Sequence, residues 1–334
     1  MEGIKISVII PVYNGSKTIV RAMASVSHQT YHNVELIVVN DGSKDNTDEV
    51  VRDFLKSIEI PFDYVVIENG GLANARNVGW SKATGDFCCN LDADDYLEPS
   101  IFESVVNSRQ SFDICYYGFR SVSTNGVVLN QYTDRFKYLT DLNGIDAAAK
   151  KLKREIWICQ GSAIYNRRMI ENNGIKNIPG INQGEDLLFI TSALSVANKV
   201  CCIEAIGVNI EESLFSMMHM NYNDSFLQSI KASKLLQNKL TCYNNKELND
   251  YSYKEVVEQT SRVAKVIAVS KTFSLRTKLN RISEIKNSNV DNINCLKGIV
   301  PSKKYIEYWL LAKIPVVYIL FVKIYRFFEG DKFN

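Results

Sequence analysis

The sequence predicts an α/β protein: an open, mostly parallel, Rossmann-like sheet with helices on both faces, followed by a helical extension. Three observations carry this expectation. Strand-like and helix-like segments alternate through the amino-terminal third of the chain, the signature of an open α/β sheet. The strand-like segments are nearly continuous apolar runs, as required of strands covered on both faces. Each run ends in a polar loop, and such sheets bind their ligands at the carboxyl ends of the strands.

The elements follow in order. Residues 4–10 are rich in β-branched side chains and stop at Pro11, which reads as a strand. Residues 16–29 have helical spacing, with Ile19, Ala22, Met23 and Val26 on one side. Residues 34–39 form a second strand, closed by Asn40-Asp41-Gly42-Ser43. A helix over 45–56 follows, with Asp45 or Asn46 as its cap. Residues 63–67 are a third strand, turned by Asn69-Gly70-Gly71 into a helix over 72–82 that Gly85 ends. Residues 87–91 are a fourth strand, running into Asp92-Ala93-Asp94-Asp95, and Pro99 stands near the start of the next helix. Beyond residue 112 the pattern is mixed. A strand is read over 114–119, a hairpin over 122–131 around Asn125-Gly126, and helices over 144–153 and 185–197. Past Asn221 long helical stretches dominate, at 226–240 and 253–273.

Composition narrows the function classes. The 334 residues carry 39 Lys and Arg against 37 Asp and Glu, a formal net charge of +2, and 46% are apolar. The apolar share excludes a disordered chain. The near balance of charge gives no reason to expect nucleic acid as a partner. The eight cysteines include no C-x-x-C pair, which speaks against a zinc site. Cys88-Cys89 and Cys201-Cys202 lie in apolar runs, where a thiol acts as a small hydrophobe. Free thiols in a reducing compartment, the cytoplasm, are the expectation. The first apolar run, residues 4–13, is too short to span a membrane and is read as a buried strand rather than a leader.

The strand ends hold the candidate chemistry. Asp92 and Asp94, one residue apart in a loop, can hold a hard divalent cation while one of them accepts ribose hydroxyls. Alone, that spacing reads sooner as a solvated acidic turn with Asp95 capping the next helix. Its place beside three other polar strand ends favours the ligand site. Asp41 can accept the imide N–H of a uracil base, or can simply be a turn residue. Tyr13 offers a flat face for a base. Arg76, on the helix after Gly70-Gly71, can reach a base or phosphate in the same crevice.

Residues 6–14 (ISVIIPVYN), 39–47 (VNDGSKDNT), 74–79 (NARNVG) and 91–95 (LDADD), in that order, resemble the family 2 glycosyltransferases. Those are inverting enzymes with the GT-A nucleotide-diphospho-sugar fold. The likeness continues weakly to residues 184–189 (GEDLLF), similar to the family's acidic acceptor motif. The resemblance implies that Pro11, Val12 and Tyr13 line the base and that Asp41 hydrogen-bonds it. It implies that Arg76 supports the nucleotide and that the Asp92-Ala93-Asp94 loop holds it, Asp92 on ribose or in the metal shell and Asp94 as the direct metal ligand. Asp186 is the implied base, with Glu185 beside it; acids in a helix's first turn also arise for the dipole alone. The implied cofactors are Mn2+ or Mg2+ and a nucleotide-sugar, a UDP-sugar by preference. The implied acceptor is a glycan or lipid-linked glycan of cell-surface polysaccharide synthesis. Two other readings stand beside this one: a non-catalytic scaffold of the same fold, and a sugar nucleotidyltransferase, which would want a glycine-rich basic loop near residues 11–15.

The expected organisation is a GT-A catalytic domain over 1–220, with a nucleotide-sugar half (1–110) and an acceptor half (111–220), and a helical extension over 221–334. Its tail, 305–328, mixes aromatics with Lys313 and Lys323, and no apolar run reaches the ~20 residues of a span. It suits a helix lying in a membrane interface, which would place the chain on the inner face of the cell membrane. A helix packed on the domain or on a second copy in a homodimer is the alternative. His219 is a weak candidate for an added metal ligand. Trp157 reads as either an acceptor-sugar platform or a core residue.

Overall fold

β1 (Ile6–Val12) and β2 (Val34–Asn40) are buried along their whole length and form the centre of a parallel half-sheet. β3 (Phe62–Val66) flanks β2, and β4 (Phe87–Asn90) flanks β1. The computed structural model describes residues 3–108, 111–212 and 225–329. The crossovers are α1 (Ile19–Ser27), α2 (Thr47–Leu55) and α3 (Leu72–Lys82). After β4 come β5 (Tyr96–Leu97), α4 (Ile101–Asn107), β6 (Ile114–Ser123), β7 (Val128–Gln131), α5 (Gly144–Lys153), β8 (Ala163–Asn166), α6 (Arg167–Asn172), α7 (Glu185–Val196) and β9 (Val200–Glu212). The strand order is β3-β2-β1-β4-β8-β6-β9-β5, with β7 on the far half of β6. β8 runs antiparallel to both β4 and β6, while β9 runs parallel to β6. The sheet is parallel in its first half and mixed beyond β4.

Several expectations shift for physical reasons. Pro11 lies inside β1 rather than ending it. Pairing with β4 stops at Ile9↔Asn90, while pairing with β2 runs on to Val12↔Asn40. Pro11 therefore has a neighbour on one side only, where a missing N–H is tolerated. β3 is an edge strand, and its Phe62 and Val66 are exposed, so not every apolar run is covered twice. α2 takes its cap contact from Asp45, whose Oδ1 accepts the Thr47 N–H; Asn46 makes no such bond. Asp95 does not cap α4; its carboxylate accepts the Glu211 N–H on β9.

α3 packs closely on β1 at Gly79. A Cβ at Gly79 would lie 2.3 Å from Ile9 Cγ2. At the amino ends of the strands, Glu35 accepts from Ser7 and Thr84 and pairs with Lys5 at 2.5 Å. All eight cysteines are free.

The chain divides into two units, Met1–Ser213 and Leu214–Asn334. The second is helical: α8 (Phe226–Leu240), α9 (Lys246–Val269), α10 (Leu275–Asn287), α11 (Ser302–Lys313) and α12 (Pro315–Glu329). α9 starts earlier than its apolar spacing suggests because the Asn245 side chain caps it, accepting the Leu248 N–H. Leu311, Tyr318 and Ile319 complete a core built on Val257, Ile267 and Ile282. The tail is two helices, broken at Ile314-Pro315. Among the described residues no helix is long and apolar enough to cross a membrane.

Gly79→Ala should push α3 off β1 despite alanine's better helix propensity. Urea unfolding should show a loss of about 1–3 kcal/mol; an unchanged midpoint would mean that the contact relaxes freely.

Candidate active site

The loops at the carboxyl ends of β1, β2 and β3 are tied to each other. Asn14, at a φ of 51°, donates its backbone N–H to Ser43 Oγ at 2.9 Å and accepts the Lys44 N–H at 2.7 Å. Asp41 is buried, and its two oxygens divide between two amides. Oδ1 accepts the Gly70 N–H at 2.8 Å, and Oδ2 accepts the Gly71 N–H at 2.9 Å. Gly71 is the residue before α3 and holds a φ of 85°, a conformation that favours glycine. Asp41 thus caps α3 from a different loop, putting negative charge at the helix's positive end.

That capped helix delivers Arg76, which is only 1% exposed. Its guanidinium meets three carboxylates: Asp92 at 2.7 Å, Asp186 at 3.1 Å and Glu185 at 3.4 Å. Burial opposes its charge, but Asp92, Asp186 and Glu185 outweigh that and raise its pKa. Arg76 Nε has no partner in this arrangement. Glu185 is buried at the start of α7, and burial first, then the neighbouring Asp186, pushes its pKa up to about 7. Asp186 is different: its side chain is 44% exposed.

A second contact on Asp186 was not legible in the sequence. Gln160 Nε2 donates to Asp186 Oδ1 at 2.7 Å. Gln160 Oε1 accepts from Asn90 Nδ2 at 2.8 Å, and Asn90 Oδ1 accepts from Trp80 Nε1 at 3.0 Å. An indole N–H can only donate. It therefore fixes the orientation of both amides, so that the chain ends with an N–H aimed at Asp186. Arg76 and Gln160 both bind Oδ1; Oδ2 has no partner among the described residues. Only the polar Asn90 in an apolar strand hinted at this chain.

Asp94 follows on the same loop as Asp92. The surrounding protein raises its pKa, and the negative Asp92 adds to that. Arg21 on α1 donates to the Asp94 backbone oxygen and pairs with Glu211, both at 2.6 Å. Among the described residues, no group of three or more His, Cys, Asp or Glu could hold a metal ion. The donor chemistry is nonetheless that of a hard cation, since Asp92 and Asp94 are carboxylates whose mutual repulsion a cation relieves. They are the residues that would hold a divalent ion.

The remaining predicted residues divide. Tyr13 is 48% exposed beside the crevice, whereas Pro11 and Val12 are buried strand residues. Ala93 is half-buried between Asp92 and Asp94. Trp157 stacks on Phe136 at 5.8 Å and has Lys151 Nζ 5.0 Å from its ring centroid, so its ring is engaged in packing. His219 lies outside the described residues.

A parallel half-sheet with polar strand ends converging on an acid cluster is where an open α/β sheet binds its ligand, and this sheet has the GT-A fold of the glycosyltransferase structures that it matches. The profile described as Glycosyl transferase family 2 matches residues 7–174, and the chain belongs to that family. It is 38% identical to the glycosyltransferase GlyA of Streptococcus pneumoniae over 30% of this chain and 14% of that protein. It is 26% identical to the poly(ribitol-phosphate) beta-N-acetylglucosaminyltransferase TarS of Staphylococcus aureus over 59% of this chain and 33% of that protein. The chain thus spans less than half the length of either relative. The crystal structure of TarS 1-349 with UDP-GlcNAc superposes with a TM-score of 0.70 at 21% identity, over 96% of this chain and 91% of that one. The mannosyltransferase PcManGT of Pyrobaculum calidifontis, solved with GDP-Man and Mn2+, superposes at a TM-score of 0.51 and 14% identity, over 98% of this chain and 88% of that one.

Glu185 makes stability depend on pH. Its pKa rises from 4.5 unfolded to about 7 folded, so the native state binds the proton more tightly and stability falls as pH climbs through that window. Glu185→Gln should therefore gain on the parent protein between about pH 5 and about pH 8 in melting temperature. A constant difference across that range would refute the raised pKa.

Proposed function

We propose that this chain transfers a sugar from a nucleotide-diphospho-sugar, a UDP-sugar by preference, to an acceptor hydroxyl, with inversion at the anomeric carbon. One observation carries the reading: Arg76 joins Asp92, from the loop after β4, to Glu185 and Asp186, from the start of α7. Donor-side and acceptor-side acids therefore belong to one cluster.

The chemistry is a single displacement. Asp186 takes the acceptor hydroxyl proton on Oδ2, the oxygen that Arg76 and Gln160 leave unengaged. The acceptor oxygen forms its bond to the anomeric carbon as the bond to the diphosphate oxygen breaks, and the diphosphate leaves with the electron pair. Glu185 is buried, so its exposed neighbour Asp186 is the acid that an acceptor can reach. Tyr13 stacks the nucleobase. Each Asp41 oxygen keeps an acceptor position beyond its bond to a loop amide, enough for an imide N–H. Asp92 and Asp94 are the residues that would hold a divalent cation. Such a cation supplies Lewis-acid charge to the leaving diphosphate. TarS crystallises with UDP-GlcNAc and PcManGT with GDP-Man and Mn2+, which supports both the donor class and the metal. The name of TarS supports a cell-surface polymer or its lipid-linked precursor as acceptor.

Thermal stabilisation by UDP, GDP, CDP and TDP, each with Mn2+ and with chelator, tests the donor site. Selective, metal-dependent stabilisation by UDP is expected; none by any of them would favour a non-catalytic binding subunit. Asp94→Ala should lose both transfer and metal-dependent UDP binding. Asp186→Asn should lower kcat by about 10²–10⁴-fold while keeping UDP binding, and equal loss of binding in both variants would overturn the division of roles. Gln160→Met tests the positioning chain. It should cut kcat by about tenfold or more with the donor KM unchanged, and a rise in KM alone would assign Gln160 to packing.

A further inference from the structure

Over its described side chains, α12 of the second unit has no polar face. Between Pro315 and Tyr325, α12 carries one charged side chain, Lys323. Tyr318, Ile319 and Val322 turn into the unit's own core. On the opposite arc, Val316, Val317, Leu320 and Ile324 fall at helical spacing and are 49%, 41%, 54% and 58% exposed. Ile314 at the joint and Trp309 on α11 are exposed as well. A helix that is apolar all round belongs in a buried setting, and one side of α12 lacks a cover among the described residues.

Charge identifies the cover. Residues 302–325 hold four lysines (303, 304, 313 and 323) and one acid, Glu307. Glu307 is buried, paired with Lys265 at 2.8 Å and with Lys304 at 3.8 Å, and accepts from Ser261, so its charge is met within the unit. Lys313 and Lys323 have no acidic partner among the described residues. A second copy docked through this face about a twofold axis would set the same patch against itself, lysine toward lysine with no acid between them. An anionic lipid surface meets both features. Acyl chains take the apolar arc, headgroup phosphates take the lysines, whose aliphatic stems lie along apolar surface, and Trp309 suits the boundary. Over the described residues α12 is too short to span a bilayer, a length that suits the interface plane.

We infer that α11 and α12 dock this chain on an anionic phospholipid surface, with Val316, Val317, Leu320 and Ile324 inserted at the headgroup–acyl boundary. The test reads binding by the full chain, so it stands apart from the transferase reading. Flotation is compared on phosphatidylcholine vesicles and on vesicles with phosphatidylglycerol added. Strong binding is expected only to the second, weakening as salt rises. Leu320→Glu with Ile324→Glu should weaken that binding by about tenfold or more with the melting temperature unchanged. Lys313→Gln with Lys323→Gln, which leaves the apolar arc intact, should weaken it several-fold on the anionic vesicles. Equal binding to both vesicle types, or full binding by the glutamate variant, overturns the inference. A chain that fails to float and sediments as a dimer, split by the same glutamate substitutions, overturns it in favour of a second copy.

Discussion

One buried cation organises the crevice. A guanidinium withdrawn from water is costly unless charge and hydrogen bonds compensate it, and Arg76 is compensated by three carboxylates from two separate segments. Its position is set in turn by α3, which Asp41 caps at one end and which rests on β1 through the bare Gly79. The loop after β4 and the first turn of α7 therefore take their places from a side chain that belongs to neither. Three acids on one cation leave an excess of negative charge, and burial together with that excess raises the pKa of Glu185.

The sequence made the parallel half legible because strands buried on both faces must be written as apolar runs. β1, β2 and β4 have that form. β5 and β8 were not legible: at two and four residues they are too short to show a period, and their pairing depends on strands far away in the chain. The acids and Arg76 could be picked out, but their mutual contact could not, since 109 residues separate Arg76 from Glu185. Asp41 is the clearest case of a residue found for one reason and placed for another. A carboxylate at a strand end reads as a ligand contact, yet in the fold it already holds two amides. Gln160 carried no signal, because a lone glutamine outside any motif resembles every other glutamine.

In the second unit the limit was of another kind. Helical spacing reveals a buried face only when the opposite face is polar, and α12 gives no such contrast. The sequence suggests one helix in the tail and the structure holds two, broken at Pro315, because proline is accommodated at the first position of a helix and not in its interior. Which side of α12 meets the core had to come from packing.

The chain from Trp80 to Asp186 has a direction, and its two ends agree on it. Two amides joined head to tail can point either way, but here a carboxylate that only accepts stands at one end and an indole that only donates at the other. A group that donates and never accepts removes the choice, as a rectifier passes current one way. Among side chains of that bulk only an indole combines the volume that fills the space against Tyr165 and Phe189 with the N–H that sets the sign. A phenyl ring at position 80 would leave a gap and take away the donor, so the sense of the dipole reaching the crevice is secured in part by a core residue.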